Sequence, residues 1–172
     1  MKAIVAVDLN WAIGYQGSLL QRIPEDMRFF KQLTLGKVVI MGRETFESLP
    51  KKEPLKDRIN IVLSKNGHFK NEAVTVCRSL DALFREVGKY AWDDLFVIGG
   101  ESIYSQLLPF CSEVYVTKIE NKYPADKYFI DLDKYETWKQ ADTSGLQSHQ
   151  GICYKFVKYV NVSPLLRDNR PL

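Results

Sequence analysis

Histidine is nearly absent. The 172-residue chain has two, His68 and His149, and both fall in stretches that read as loops. A hydrolase built on a histidine general base is therefore not indicated. Cysteine is equally sparse. Cys77, Cys111 and Cys153 are odd in number, far apart and in no CxxC pair. That argues against a disulfide framework and fits free thiols in a reducing compartment. The signatures GxxxxGKS/T, HExxH and GxSxG are missing, as is any metal-ligand spacing, so no metal is expected. No apolar run approaches the roughly 18 residues of a membrane span, and "MKAIVAVDLN" is too short and too soon acidic for a signal peptide. Net charge is only +3, with basic residues spread along the chain, which speaks against a nucleic-acid partner. The expectation is a cytoplasmic protein that, if an enzyme, takes its reactive chemistry from a cofactor.

What is present is an ordinary globular composition, 45% apolar and 26% charged, in a chain of single-domain length. Apolar runs "AIVAVD" (3–8), "KVVIM" (37–41), "RINIVLS" (58–64), "VTVC" (74–77), "LFVIGG" (95–100) and "EVYVTKI" (113–119) read as strands. Helical stretches alternate with them: 24–35 with Pro24 at the first position and Gly36 as stop, a short one in 42–49, 79–87 with Ser79 as N-cap, and 101–108 ended by Pro109. Residues 9–23 show no clear period and read as a long loop of the kind that is functional or mobile. Segments 137–142 and 152–160 alternate like an antiparallel C-terminal hairpin, and 161–172 looks irregular. The fold class is α/β with a largely parallel central sheet. Ligands of such sheets bind beyond the carboxyl ends of the strands. That directs attention to Asp8–Gly14, Gly42–Thr45, Ser64–Lys65, Gly99–Gly100 and Thr117.

Three of those ends suit phosphate. Gly42-Arg43 puts backbone N–H groups and a guanidinium at a helix start; Ser64-Lys65 adds a hydroxyl and an ammonium; Gly99-Gly100 lets the backbone approach a ligand. No GxGxxG accompanies them, so an ordinary Rossmann domain is not indicated. The fourth feature is a pattern violation. On a helix over "IPEDMRFFK" (23–31), Ile23, Met27, Phe30 and Leu33 share one face, Glu25, Arg28, Lys31 and Gln32 the other. Asp26 falls at roughly 300°, on the apolar side. A carboxylate in the first turn favours the helix dipole. Glu25 would serve the dipole equally from the polar face, however, and no Lys or Arg shares Asp26's stripe. A half-buried, unpaired carboxylate is costly unless something hydrogen-bonds it, and a ligand offering two N–H donors would do so. Both accounts stay open on the residues alone. Pattern alone makes Met27 and Phe30 core, Thr117 a β-branched strand residue and Arg58 a solvated one.

Together, "AIVAVD…AIG" (3–14), "IPEDMRFFK", "VVIMGRETFESL" (38–49), "RINIVLS", "FVIGGESIY" (96–104) and "VYVTKI" (114–119) resemble dihydrofolate reductase of the bacterial chromosomal kind, in the family's order and spacing. The resemblance covers 1–160 as one domain, followed by a tail, 161–172. It implies a central, mostly parallel eight-stranded sheet with an antiparallel C-terminal hairpin and four helices. It implies NADPH-dependent reduction of 7,8-dihydrofolate to tetrahydrofolate by a monomer. Carried over by position, Asp26 is the single acid of the pterin pocket, supported by Thr117. Ile4, Val5, Met27, Phe30, Leu49, Ile98 and Tyr104 wall the substrate, and Arg58 takes the α-carboxylate of its glutamate tail. Arg43, Ser64 and Lys65, with Arg78 nearby, hold the 2′-phosphate and adenosine end of the cofactor. Thr45, Gly99, Gly100, Glu101, Ser102 and Ile103 line its pyrophosphate. Ala6, Ile13, Gly14 and Tyr104 surround the nicotinamide, and Leu19, Gly42, Glu44 and Leu63 complete the cofactor site. Residues 9–23 are the loop that closes over it.

The chain departs from the family at Leu20-Gln21, where Pro-Trp is common; at Ala125-Asp126, where Gly-Asp is usual; at Ile130, where Pro is usual; and at Ser102, often Arg. Asp26 is expected to act by charge and orientation, with water delivering the proton. The alternatives are a reductase of the same fold, such as the riboflavin-pathway pyrimidine reductase, which needs neither Asp26 nor Arg58, and a non-catalytic nucleotide-binding module.

Overall fold

The strands "KAIVAV", "VVIMG", "INIVL" and "LFVIG" bury consecutive residues, as only strands covered on both faces do. The computed structural model, which describes residues 1–165, assembles them into one sheet. Its elements are β1 (Lys2–Val7), β2 (Ala12–Tyr15), β3 (Ser18–Leu19), α1 (Pro24–Thr34), β4 (Val38–Gly42), α2 (Arg43–Ser48), β5 (Ile59–Leu63), β6 (Thr75–Cys77), α3 (Leu80–Val87), β7 (Leu95–Gly99), α4 (Glu101–Leu107), β8 (Glu113–Ile119), β9 (Lys127–Tyr128), β10 (Trp138–Thr143), β11 (Gln147–His149) and β12 (Ile152–Asn161). The main path of the sheet runs β10-β12-β8-β1-β7-β4-β5-β6. From β8 to β6 every pairing is parallel. β12 joins β8 antiparallel, and β10 joins β12 antiparallel. This is the eight-stranded, mostly parallel α/β fold with four helices that the resemblance implies.

Alternation divides the core between the two faces. Val38 and Ile40 of β4, with Ile61 and Leu63 of β5, belong to the larger apolar cluster. Val39 and Met41, with Val62, belong to a smaller one with Phe46, against which Leu49, Leu55 and Ile98 pack. α3 begins as expected: the Ala82 N–H donates to Ser79 Oγ at 3.1 Å.

Residues 9–23 are more regular than the sequence indicates. β2 and β3 pair, and β9 pairs with β2, making a small three-stranded sheet. The turn between β2 and β3 is Gln16-Gly17, both at positive φ (49° and 78°), the backbone that fits a two-residue hairpin. The β11–β12 turn uses the same dipeptide, Gln150-Gly151, at 48° and 81°. Asn or Asp before Gly is the usual signal for such turns, so Gln-Gly passes unnoticed. β11 is an addition to the expected hairpin. The tail also differs in part: Asn161 is a buried member of β12, the Val162 N–H donates to Thr137 O at 2.8 Å, and the Leu165 N–H donates to Pro109 O at 2.9 Å. The rest of the 161–172 expectation lies outside the described residues.

Two acids fasten the 9–23 segment. Asp8, at the end of β1, accepts from the N–H groups of Asn10 (2.7 Å) and Ala12 (2.9 Å), and from that of Tyr123 at 3.0 Å. Asp126 accepts from the Gln16 N–H at 3.0 Å while its own N–H donates to Gly14 O at 3.1 Å. The latch is made although Ala125 precedes it. Among the described residues no helix is long and apolar enough to cross a membrane.

Candidate active site

One turn along α1 from Asp26 lie Phe29 and Phe30, and two turns along lies Leu33, the i+3, i+4 and i+7 positions of one stripe. Phe29 packs this stripe onto the sheet, with ring centroids 4.5 Å from Phe156 of β12 and 6.2 Å from Tyr115 of β8. Asp26 is thereby carried against β8. There the hydroxyl of Thr117, itself buried, donates to Asp26 Oδ1 at 2.5 Å. Burial pushes the Asp26 carboxyl above its ordinary value, and the Thr117 hydrogen bond pulls partly back. Among the described residues no cation opposes that rise. The half-buried functional acid fits this placement, and the first-turn dipole alone does not account for it.

Thr117→Val tests that support. Because the native carboxyl titrates above its unfolded value, its stabilising contribution is present below the unfolded pKa and is lost as pH rises through the native one. Removing a donor to the ionised form deepens that loss. Urea denaturation should show Thr117→Val destabilised by about 1–2 kcal/mol more at pH 8 than at pH 4.

Met27 is 45% exposed, so the expectation that it belongs to the core fails; the only buried residue of α1 is Thr34. Met27 and Phe30 instead line a groove of about 340 Å³ with Arg28, Lys31, Leu55 and Arg58. The sheet-facing role falls to Phe29, which precedes Phe30 on the wheel. Arg58 is likewise not simply solvated. Its Nε donates to Thr34 Oγ1 at 3.2 Å and its Nη1 to Lys56 O at 2.8 Å, and burial lowers its pKa. Among the described residues no carboxylate forms an ion pair with it, so it borders the groove as a guanidinium without an acid partner. Leu49 and Ile98 pack against the same buried cluster as Leu55. Ile4 and Val5 are buried in β1, where the Tyr104 hydroxyl donates to Ile4 O at 2.7 Å. Burial pushes that hydroxyl's pKa upward.

The carboxyl ends of the strands meet as expected. In register, Gly42 faces Leu63, Met41 faces Gly99, and Leu63 faces Cys77. A methyl group on Gly100 would stand 3.2 Å from Thr45 Oγ1, and one on Gly42 would stand 3.0 Å from Ile103 Cγ1. Gly99 has φ +123°, a backbone that disfavours other residues, and its missing Cβ would lie 3.3 Å from the Tyr104 ring. Gly42, Thr45, Gly99, Gly100, Ile103 and Tyr104 are therefore brought together, and the Gly99–Gly100 peptide is cis. Ala6 faces Thr117 in register, joining this edge to the acid.

Other expected residues are placed with local partners. Arg43 Nη1 donates to Glu47 Oε2 at 2.7 Å, and Glu44 Oε1 is 3.9 Å from its Nη2. Ser64 is buried and its hydroxyl accepts from the Asn66 N–H at 3.3 Å; Lys65 is exposed. Arg78 donates to the carbonyls of Ser64 (3.3 Å), Asn66 and Phe69, so its guanidinium bolts the 64–69 loop. Glu101 Oε1 accepts from the Tyr128 N–H at 3.0 Å, tying α4 to β9. The exposed Ser102 holds Gln106 with its hydroxyl. Ile13 and Gly14 are half-buried in β2, and Leu19 in β3 is 58% exposed.

Helix phase accounts for only half of Glu25, whose Oε1 pairs with Arg28 on the polar face. It belongs to the polar face by the wheel, yet its Oε2 is buried. The partner that covers it comes from a distant hairpin, which α1's own sequence cannot reveal.

The family model described as dihydrofolate reductase matches residues 1–161. A dihydrofolate reductase of Neisseria gonorrhoeae is 36% identical over 159 residues, 91% of this chain and 95% of that protein. A bifunctional dihydrofolate reductase-thymidylate synthase of Paramecium tetraurelia is 37% identical over 160 residues, 92% of this chain. The chain spans 34% of that relative's length. A solved dihydrofolate reductase from Enterococcus faecalis, complexed with NADP(H) and RAB-propyl, superposes with a TM-score of 0.83 at 29% identity, covering 93% of this chain and 95% of that one. Sequence agreement on this scale, over a fold that sets the Asp26 carboxyl on the strand edge next to Ala6 and Thr117, places the chain in the dihydrofolate reductase family.

Proposed function

We infer that this protein reduces 7,8-dihydrofolate to 5,6,7,8-tetrahydrofolate with NADPH. The observation that carries the reading is the half-buried Asp26 carboxyl, held by Thr117 and without a cation partner among the described residues, on the helix whose Met27 and Phe30 line an apolar groove bordered by Arg58. The relatives' names and the NADP(H) in the Enterococcus faecalis structure support it.

The strand edge fits the cofactor. Gly42, Gly99 and Gly100 leave backbone open where a side chain would crowd Ile103, Tyr104 or Thr45. Gly42, Arg43, Glu44, Thr45, Leu63, Ser64, Lys65 and Arg78 would hold the phosphate and adenosine end. Gly99, Gly100, Glu101, Ser102 and Ile103 would hold the pyrophosphate, and Ala6, Ile13, Gly14, Leu19 and Tyr104 the nicotinamide. Arg43 and Lys65 favour NADPH over NADH by charge, Arg43 after exchanging Glu47 for the 2′-phosphate. When bound, NADPH supplies the hydride for carbon 6 of the pterin.

The chain's own residues bind and polarise the substrate. Asp26 accepts hydrogen bonds from the pterin 2-amino group and the adjacent ring nitrogen, fixing the ring. Its negative charge favours the cationic pterin, whose carbon–nitrogen double bond accepts hydride readily. Water brings the proton to nitrogen 5. Thr117 holds Asp26; Ile4, Val5, Met27, Phe30, Leu49, Ile98 and Tyr104 exclude water; Arg58 takes the α-carboxylate of the tail. In this reading a single chain makes a complete site without membrane or nucleic acid. The free thiols Cys77, Cys111 and Cys153 suit the cytoplasm.

Following NADPH absorbance with purified protein tests the reading. Oxidation that depends on added dihydrofolate is the expected result. NADPH binding without dihydrofolate-dependent oxidation overturns it in favour of a nucleotide-binding module.

A further inference from the structure

The helix that carries Asp26 begins without a side-chain cap. Ile23 precedes it, and Pro24 at its first position has no N–H. Its first turn is instead held by tertiary contacts. One is Asp26 with Thr117 of β8. The other is Glu25. Glu25 Oε1 accepts from Arg28 Nη2 at 2.8 Å, while Oε2 is buried with no hydrogen bond. Facing Oε2 at 3.5 Å is Nδ1 of His149, the last residue of β11, just before the Gln150-Gly151 turn into β12. That distance is long for a hydrogen bond but is closed by a small side-chain rotation. Buried Tyr154 of β12 stands beside the pair; its hydroxyl donates to Gln147 at 3.3 Å, and burial, then the Glu25 charge and the hydroxyl's approach to that carboxyl, raise its pKa. The Glu25 carboxyl lies below its ordinary value, chiefly through its own backbone hydrogen bond, with His149 and Arg28 adding to the effect against burial. Two residues beyond Tyr154 on β12, Phe156 faces Thr117 in register and packs on Phe29. The β11–β12 hairpin therefore touches the first turn of α1, its apolar stripe and the strand that holds Asp26.

We propose that His149 is a positioning residue for the pterin-binding acid: by gripping Glu25 it fixes the first turn of α1, and so the orientation of the Asp26 carboxylate. The proposal rests on the reading of Asp26 under Proposed function. Glu25 then serves as the handle by which a distant hairpin sets the angle of its neighbour. Arg28, Asp26 and Tyr154 are the other titratable groups around the pair.

The test is kinetic and epistatic. His149→Gln and Glu25→Gln should each lower kcat/KM for dihydrofolate about fivefold, with KM for NADPH unchanged. The double variant should fall no further than either single one. His149→Arg, which keeps an N–H donor facing Glu25, should restore at least half of the wild-type value. In an Asp26→Asn background, His149→Gln should have no further effect, because the group it positions is gone. If His149→Gln fails to fold, the isosteric Glu25→Gln carries the same comparisons. Retained kcat/KM in both single variants, or an undiminished loss in the Asp26→Asn background, overturns the proposal. A wild-type protein that turns over no dihydrofolate refutes the activity itself, which separates the two failures.

Discussion

Asp26→Asn is expected to slow hydride transfer at pH 7 on the order of 100- to 1,000-fold, the usual cost of removing one preorganised charge from a reacting site. The amide keeps the shape of the side chain and can still accept the Thr117 hydrogen bond. What it loses is the negative charge that favours the protonated pterin. The deficit should shrink toward acid pH, where solvent protonates the substrate without help. Asp26→Ser should behave alike. Stopped-flow single turnovers at pH 5 and pH 8 measure both; near wild-type rates at neutral pH in both variants contradict the assignment. The same substitution should make the folded protein more stable at pH 7, on the order of 1 kcal/mol, because a buried ionised group is replaced by a neutral one. The direction follows from the raised carboxyl pKa: folding is less favourable above that value than below it. Asparagine does not titrate, so the stability gain should vanish as pH falls below the carboxylate range. Loss of rate with gain of stability is the signature of a group kept for function.

Arg58→Leu carries the second large effect. A guanidinium with no carboxylate partner among the described residues, half-buried at the edge of an apolar groove, is suited to a bidentate carboxylate contact. Losing it should raise KM for dihydrofolate on the order of 100-fold, about 2.7 kcal/mol, while kcat stays within a few-fold. Arg58→Lys should recover only part, since an ammonium cannot make the paired contact. A pterin substrate lacking the glutamate tail should react equally with both proteins. A kcat that falls in step with kcat/KM would place Arg58 at the pterin instead.

The elements that were legible in the sequence are those whose signals are local. Continuous apolar runs gave the buried strands, Ser79 the cap of α3, and Gly42, Gly99 and Gly100 the open strand edge. Asp26 announced itself by standing in the wrong phase. The misreadings have a common cause in contacts from far along the chain. Glu25 sits on the polar side of α1 by phase, yet the β11–β12 hairpin covers its Oε2. Met27 looks like core, yet the groove leaves it open because Phe29 makes the sheet contact. β2 and β3 are too short to show a period, and their Gln16-Gly17 turn lacks the usual Asn or Asp. Asp126, distant in sequence, latches the segment regardless of the Ala125 before it.

Asp26, in this mechanism, works as a fixed negative charge and not as the donor of the proton to nitrogen 5. Carbon-13 NMR of aspartate-labelled protein bound to dihydrofolate and oxidised cofactor tests it most directly, with the Asp26 carboxyl signal assigned by its disappearance in Asp26→Asn. At pH 7 the signal should have the shift of an ionised carboxylate. The shift of a protonated carboxyl at that pH, in a complex competent for turnover, would contradict it.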